Sequence, residues 1–550
     1  MPENLSRLAG RQGLDNNLFE KMGVMARDSG TPSSDDVSAL AHEFLVGDAS
    51  AYGTISFYDF LKEDNKGKSV YVCSGSCCML AGTQDNLIDE IKKHVPADEI
   101  GHMCCLGRCH ENGAFNYNGL NYSAQSADQI EALFKGESST SDTYITTAIG
   151  TPVLTSEFPG IDPYYELLST VFEKGQDWAL AEIKTSIIRG RGGAGFPMSF
   201  KLEGCRSSEG DEKYIVCNAD EGDPGAYSDR YIMEEQPHSL LFGMIVAGFI
   251  VGASRGVVYI RAEYPESITI ITQAIEDLRE KKLLGDDILG SGFSYDFKVI
   301  GAQGAYICGE ETAMLSSIEG QRPEVRVRPP YPTVEGLFSK PTVVNNVETL
   351  AGVYYILKEG GAAFANLGTV KSTGTKLVSL DGFFKTPGVY EVEMGTPLSQ
   401  VVNELGGGFN ASIKALHIGG PLGGLFPIDM IEKLNIDFES FSENGLLLGH
   451  ASIVCIPEDY PLVKYLHHLF EFTSLESCGK CYPCRIGAKR GEELLDKAIN
   501  KSQKIDRELF NDLLETMELG SLCALGGGIP LPVQNALKYF DDELKEYFEG

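Results

Sequence analysis

The residues best equipped for chemistry in this 550-residue chain are its 14 cysteines. Cys478, Cys481 and Cys484 recur every third position, and Cys523 follows well downstream. Three thiolates wrapped on one tight turn can occupy three corners of an iron–sulfur cube, and a remote fourth completes the ligand set of a [4Fe–4S] cluster. Structural zinc is the competitor, but zinc sites normally use two separated CxxC pairs rather than three crowded cysteines and one distant partner. A second set pairs Cys73 with Cys78 and Cys105 with Cys109, each pair at a junction of strand and loop. On spacing alone it suits [2Fe–2S] and zinc equally. Cys77 and Cys104 stand beside two of these residues and leave the choice of ligands within each pair open. Neither pair has the CxxC spacing of a thioredoxin-type disulfide.

Two further constellations lie between the two cysteine sets. Gly190-Arg-Gly192-Gly193-Ala-Gly195-Phe-Pro, followed by Lys201, satisfies GxGxxG. The stretch before it, Trp178 to Thr185, reads as helix rather than strand, which disfavours an ordinary Rossmann turn. Glycines at this density still leave backbone N–H groups bare, a concavity for phosphate with Lys201 as counter-charge. A flexible loop is the alternative. Asn218-Ala-Asp220-Glu221-Gly-Asp223-Pro follows a strand, and Gly304-Ala-Tyr-Ile-Cys308-Gly309-Glu310-Glu311 precedes a helix expected to begin near Thr312. Polar side chains gathered at strand ends in an α/β region are where ligands bind, with surface-loop acidity as the bland alternative.

The elements that must position these residues form an α/β multidomain chain. Residues 1–65 read as a helical segment, with Ser34 as cap and Val37, Leu40, Ala41, Phe44 and Leu45 on one face. Residues 66–135 alternate strands with helices, and the small polar stretch 136–144 reads as a linker. An α/β domain is expected over 145–350, a glycine-punctuated β module over 370–435, and a helical domain over 440–550. In the last, Leu509, Phe510, Leu513, Leu514 and Met517 share one face, as do Val533, Ala536, Leu537, Phe540 and Leu544. The apolar run from Leu240 to Ala253 is 14 residues long, short of the roughly 18–20 that span a bilayer, and reads as a buried helix. Lysine and arginine total 46 against 78 acids, a formal charge of −32 that disfavours nucleic acid and anionic lipid as partners. The opening Met-Pro-Glu-Asn-Leu-Ser lacks the pattern of a secretory signal, so a cytoplasmic location without membrane insertion is expected.

Taken together, Arg189-Gly-Arg-Gly-Gly-Ala-Gly-Phe-Pro, Cys217-Asn-Ala-Asp-Glu, Gly304 to Thr312, Lys340-Pro-Thr-Val-Val-Asn-Asn-Val-Glu-Thr and Glu476 to Arg485 resemble, in order, the NADH-binding flavoprotein subunit of respiratory complex I. Residues 15–135 are similar to its small [2Fe–2S] partner, here fused in front, as in NAD-linked formate dehydrogenase beta subunits and NAD-reducing or bifurcating hydrogenase subunits. The resemblance implies a thioredoxin-like fold with [2Fe–2S] on Cys73, Cys78, Cys105 and Cys109, and a ubiquitin-like (SLBB) β module. It implies FMN held by Gly190, Gly192, Lys201, Asn218, Asp220, Glu221, Gly309, Glu310, Asn345, Asn346 and Thr349. NAD(H) is then expected near Phe196, Asp223, Glu311, Arg328 and Tyr331, with Glu311 and Asp223 as catalytic-site residues that orient the nucleotide. Asp223 stands where the family usually has glutamate and Arg328 where lysine is common, which relaxes the rejection of NADP. Leu202-Glu203-Gly204 replaces the family's aromatics after the loop lysine.

The function this implies is a diaphorase subunit, exchanging hydride between NAD(H) and FMN and single electrons between FMN and the clusters. The expected partner is a molybdenum- or tungsten-dependent formate dehydrogenase alpha subunit. A hydrogenase, complex I or a bifurcating enzyme coupled to ferredoxin are the alternatives within the class, and a flavin-free iron–sulfur scaffold is the alternative outside it.

Overall fold

A computed structural model describes residues 13–15, 17–29, 32–137 and 142–550; the opening hexapeptide and residues 138–141 of the expected linker lie outside the described residues. The central element is a four-stranded parallel sheet, ordered Asp296–Gly301, Arg255–Ile260, Tyr214–Ala219, Thr342–Asn346. Successive side chains of a strand point to opposite faces, and a parallel sheet is covered on both. Ile215, Cys217, Val258 and Val343 face one core together with the helix Pro237–Val251, which is buried at every position from His238 onward. The expected buried helix therefore lies on this sheet.

Tyr214, Val216, Val257, Tyr259 and Val344 face the other core, and the N-terminal helices close it. Leu18–Ser29, Ser34–Glu43 and Asp48–Ile55 bring Leu18, Phe19, Met22, Leu40 and Ile55 onto the sheet. Tyr58 follows, its hydroxyl 2.7 Å from Ser317 Oγ, while Asp59 N and Phe60 N donate to the carbonyls of Gly304 and Gln303. The helical leader is thus a wall of the large α/β domain. Its cap is Ser33 rather than Ser34, because Ser33 forms a reciprocal capping box with Asp36. Leu45 departs from the expected face: the helix ends at Glu43, Leu45 turns to φ 55°, and its side chain is 65% exposed.

The first cysteine set sits on a smaller mixed sheet, ordered Ile100–Met103, Val70–Cys73, Phe115–Tyr117, Leu120–Tyr122, with the first pair parallel. The β-rich region is larger than 370–435. Its sheet runs Gly424–Pro427, Ile413–Ile418, Ser452–Pro457, Thr375–Leu380, Gly388–Glu393, Ile145–Ile149. Ser452–Pro457 is a central strand and Ile145–Ile149 an edge strand, so both cross the boundaries expected from local composition. Strand partners far apart in sequence leave no local signal.

The C-terminal helices Leu462–Glu476, Tyr482–Ile499 and Arg507–Gly520 pack closely at two glycines. A Cβ on Gly491 would lie 2.2 Å from the Phe470 ring, and one on Gly487 2.6 Å from Met517. Phe510, Leu514 and Met517 are buried as the periodicity requires, whereas Leu509, in the first turn, is exposed. Among the described residues no helix is long and apolar enough to cross a membrane.

Phe19 is fully buried, its ring centroid 4.9 Å from that of Tyr58. Phe19→Ala is expected to destabilise the large α/β domain by about 3–5 kcal/mol. The urea midpoint of unfolding reports it, and Leu45→Ala, at an exposed position, should stay within about 0.5 kcal/mol of the parent.

Candidate functional site

The carboxyl ends of two neighbouring parallel strands meet at the site. Cys217 pairs in register with Asn345, and Asn218 with Asn346. The glycine loop crosses in front of them, leaving a helix, Gln176–Ser186, and entering another, Met198–Ser207, which carries Lys201. It is tied down by Gly190 N donating to Phe196 O (2.8 Å) and Arg191 N donating to Thr349 Oγ1 (2.8 Å). A Cβ on Gly192 would stand 2.9 Å from Asn346 Cβ, so only glycine lets the loop come this close. Gly309 closes in from the other side, where its Cβ would lie 3.3 Å from the Asp220 carbonyl.

Several expected ligand-binding side chains spend their polar atoms on this cradle. Asn346 caps the following helix through Oδ1 and donates from Nδ2 to Asp229. Glu221 is buried, accepting from Asp229 N (2.9 Å), Arg230 N (3.2 Å) and Tyr264 OH (3.1 Å). Glu310 caps the helix Glu311–Ile318 through the N–H groups of Thr312 and Ala313. Asn218 Nδ2 donates to the Gly309 carbonyl (2.7 Å). Two buried atoms of the cradle have no partner among the described residues: Asp220 Oδ2 and Asn345 Nδ2. Burial pushes the Asp220 carboxyl well above its ordinary range, with Arg261 opposing and Glu263 adding to the shift. The carboxyl oxygen and the amide N–H then offer two hydrogen-bonding groups inside the cradle.

Above the cradle runs a line of charges. Lys201 Nζ lies 2.9 Å from Glu311 Oε2 and donates to the Val344 carbonyl (3.0 Å), and Arg328 Nη1 lies 3.0 Å from Glu311 Oε1. Phe196 and Tyr331 are exposed at the rim. Phe200 is exposed beside Phe196, ring centroids 6.2 Å apart. The sequence reading missed Phe200; an aromatic four residues after Phe196 was the available signal. Asp223 accepts from Tyr306 OH (2.8 Å) and faces His450 Nε2 (2.9 Å). His450 comes from the β-rich region and left no local signal.

All 14 cysteines are unpaired thiols. Cys478 lies in the turn between the helices Leu462–Glu476 and Tyr482–Ile499, Cys481 caps the second helix, Cys484 is in its first turn, and Cys523 heads the short helix Ala524–Gly528. Burial pushes the Cys484 thiol up to about 11, with Cys481 and Cys478 adding to it. Burial likewise raises Cys523 to about 12, helped by Glu310, Cys484 and Cys478. Thiols that disfavour one another's ionisation are a donor set completed by a cation. Gly526 leaves them room, since its Cβ would lie 3.0 Å from Cys484 Sγ.

In the N-terminal set, Cys105 and Cys109 stand 3.3 Å apart, while Cys73 hydrogen-bonds with both Cys105 and Cys78. Cys77 joins the group through Cys109. Gly225 N, two residues past Asp223, donates to Cys109 Sγ (3.2 Å), tying this set to the loop beside the cradle. Cys104 packs against both the core that holds Cys73, Cys105 and the helix Pro237–Val251 and the core that holds the N-terminal helices, Cys478 and Cys484.

Three family profiles match the chain in order: a thioredoxin-like [2Fe-2S] ferredoxin over residues 16–137, a Nuo51 FMN-binding domain over 183–355, and an NADH-ubiquinone oxidoreductase-F iron-sulfur binding region over 464–547. The chain is 40% identical to the NADP-reducing hydrogenase subunit HndC of Solidesulfovibrio fructosivorans, over 70% of this chain and 79% of that protein. It is 35% identical to the mitochondrial NADH dehydrogenase [ubiquinone] flavoprotein 1 of Dictyostelium discoideum, over 68% of this chain and 80% of the relative. Among solved structures, an NAD+-reducing [NiFe]-hydrogenase in the H2-reduced state superposes with a TM-score of 0.86 at 27% identity, covering 97% of this chain and 93% of that one. With its FMN-binding, [4Fe–4S] and [2Fe–2S] regions in a single chain, this protein belongs to the family of flavoprotein subunits that includes NADH dehydrogenase [ubiquinone] flavoprotein 1.

Proposed function

We propose that the chain is the NAD(H)-oxidising or NAD-reducing diaphorase subunit of a larger assembly. The observation that carries this reading is a glycine-walled cradle holding two buried, unpartnered polar atoms, with a four-thiol cluster next to it. FMN fits: Asp220 and Asn345 would meet its polar edge, while the glycine loop, Lys201 and the strand ends with Asn218, Asn346 and Thr349 would enclose it. When bound, the flavin accepts a hydride and gives up electrons singly, which links a two-electron nicotinamide to one-electron iron–sulfur clusters. Cys478, Cys481, Cys484 and Cys523 would hold [4Fe–4S], and Cys73, Cys78, Cys105 and Cys109 would hold [2Fe–2S].

The residues above the cradle suit a dinucleotide. Glu311, held between Lys201 and Arg328, and Asp223, held by Tyr306 and His450, orient the ribose and nicotinamide rather than exchange protons with them. Phe196 and Phe200 offer an adenine two exposed faces, so Phe200 supplies the aromatic that Leu202-Glu203-Gly204 lacks. The [4Fe–4S] end carries exposed Leu475, Tyr482, Ile486 and Leu519. An apolar ring around the electron exit suits a partner subunit with its own iron–sulfur centre. Near full-length likeness to an NAD+-reducing hydrogenase chain favours a hydrogenase-type partner. The formate dehydrogenase alpha subunit expected from the sequence has only the fused domain arrangement in its favour.

Lys201→Ala is expected to weaken flavin retention tenfold or more, the order of one charge-assisted hydrogen bond. Flavin absorbance after gel filtration measures it, and unchanged occupancy removes Lys201 from the cradle's function. Cys481→Ser should leave the NADH-driven loss of flavin absorbance intact in stopped flow while transfer to an external one-electron acceptor falls at least tenfold. Equal transfer in variant and parent would place the electron exit elsewhere.

A further inference from the structure

Behind the glycine loop lies an ion pair that no ligand can reach. Lys376 and Glu348 are 0% and 2% exposed and in direct contact, and Glu348 also accepts from Leu377 N (3.0 Å). Glu348 sits between Asn346, the helix cap, and Thr349, whose hydroxyl takes the Arg191 N–H. Arg191 is itself buried: Nη2 donates to the Thr373 carbonyl (2.5 Å), and Nη1 has no partner among the described residues.

The β-rich region supplies the partner for almost every charge here. Glu439 matches Arg189 at 2.7 Å, Lys376 matches Glu348, and Thr373 receives one arm of Arg191. Of the remaining acids, Glu221 is satisfied by Asp229 N and Arg230 N. Asp229 is pushed well above its ordinary range by burial, then by Glu221 and Glu348, and its carboxyl accepts from Asn346 Nδ2 rather than from Arg191. Burial draws the Arg191 guanidinium down to about 10, which still leaves it charged at neutral pH. Arg191 is therefore the cation behind the loop whose charge Lys376 keeps free, because Glu348 turns to the ammonium instead of to the guanidinium.

We infer that Lys376 is a positioning residue for the flavin: by neutralising Glu348 it reserves the Arg191 charge for the phosphate of FMN, so a residue of the β-rich region sets the preference for a phosphorylated flavin. This rests on the flavin reading above and adds to it a remote electrostatic determinant. Removing the ammonium would let Glu348 cancel Arg191, and a cancelled cation no longer distinguishes a phosphate ester from a neutral ribityl alcohol.

The test is reconstitution of the deflavinated full-length chain with FMN and with riboflavin, followed by quenching of flavin fluorescence. Lys376→Met is expected to lower FMN affinity roughly tenfold or more, with riboflavin affinity held within about twofold, the signature of a charge effect rather than a collapsed cradle. The double variant Lys376→Met/Glu348→Gln should restore the FMN preference, since both charges leave together. Parallel loss of both flavins, or no rescue in the double variant, overturns the inference. Should Lys376→Met fail to fold, Arg191→Gln carries the same test without stranding a buried charge: the preference for FMN must fall, and an unchanged preference overturns the proposal. A parent chain that binds neither flavin would overturn the flavin reading itself.

Discussion

The molecule depends on a backbone passing a strand end with no side chain between them. At Gly192 the gap to Asn346 admits no Cβ, and at Gly309 the Asp220 carbonyl stands at the same kind of limit. This closeness bares N–H groups and leaves Asp220 and Asn345 with unspent polar atoms in a buried space. An unsatisfied buried polar atom costs on the order of 1–3 kcal/mol, so a native fold keeps such atoms where a ligand repays them. The surrounding side chains do the opposite: Asn346, Glu221 and Glu310 are saturated and serve as fixed walls.

Walls of that kind need support from outside, and it comes from three directions. The N-terminal helices bury one face of the parallel sheet, and the helix Pro237–Val251 buries the other. The β-rich region meets the loop with Glu439, Lys376 and Thr373 and reaches over to Asp223 with His450. One of these junctions, Lys376 with Glu348, is a fully buried ion pair. Breaking such a pair by removing one partner is far more harmful than never having it, because a buried charge is left uncompensated.

Much of this was legible in the residues. The run Cys478 to Cys484, the helix before the glycine loop and the buried run from Leu240 all follow from rules acting over fewer than twenty residues. What escaped was set by long-range pairing. Ser452–Pro457 reads as an apolar run, and only its neighbours Ile413–Ile418 and Thr375–Leu380 make it a central strand. Leu45 fits a helical stripe by count, yet the helix stops two residues earlier and its left-handed turn points the side chain outward. Lys376 and His450 carry no motif, because their meaning lies in a carboxylate brought to them by the fold. Phe200 was nearer to reach, since exposure of a large ring is visible only once the helix it starts is placed.

The charge balance draws these features together. A chain at −32 repels an anionic dinucleotide at long range, so attraction has to be local. Lys201 and Arg328 flank Glu311 at the cradle mouth, and Arg189 and Arg191 stand in the loop beneath it. Each is matched or buried, which lowers its reach into solvent but leaves its field strong within the low-dielectric cleft. Around the turn that carries Cys478 and Cys481, exposed Leu475, Tyr482 and Ile486 alternate with exposed Lys480 and Arg485, a mixed apolar and basic surface within an acidic chain. On the proposed function, anion entry past paired cations and electron exit past apolar and basic side chains are two local answers to one global charge.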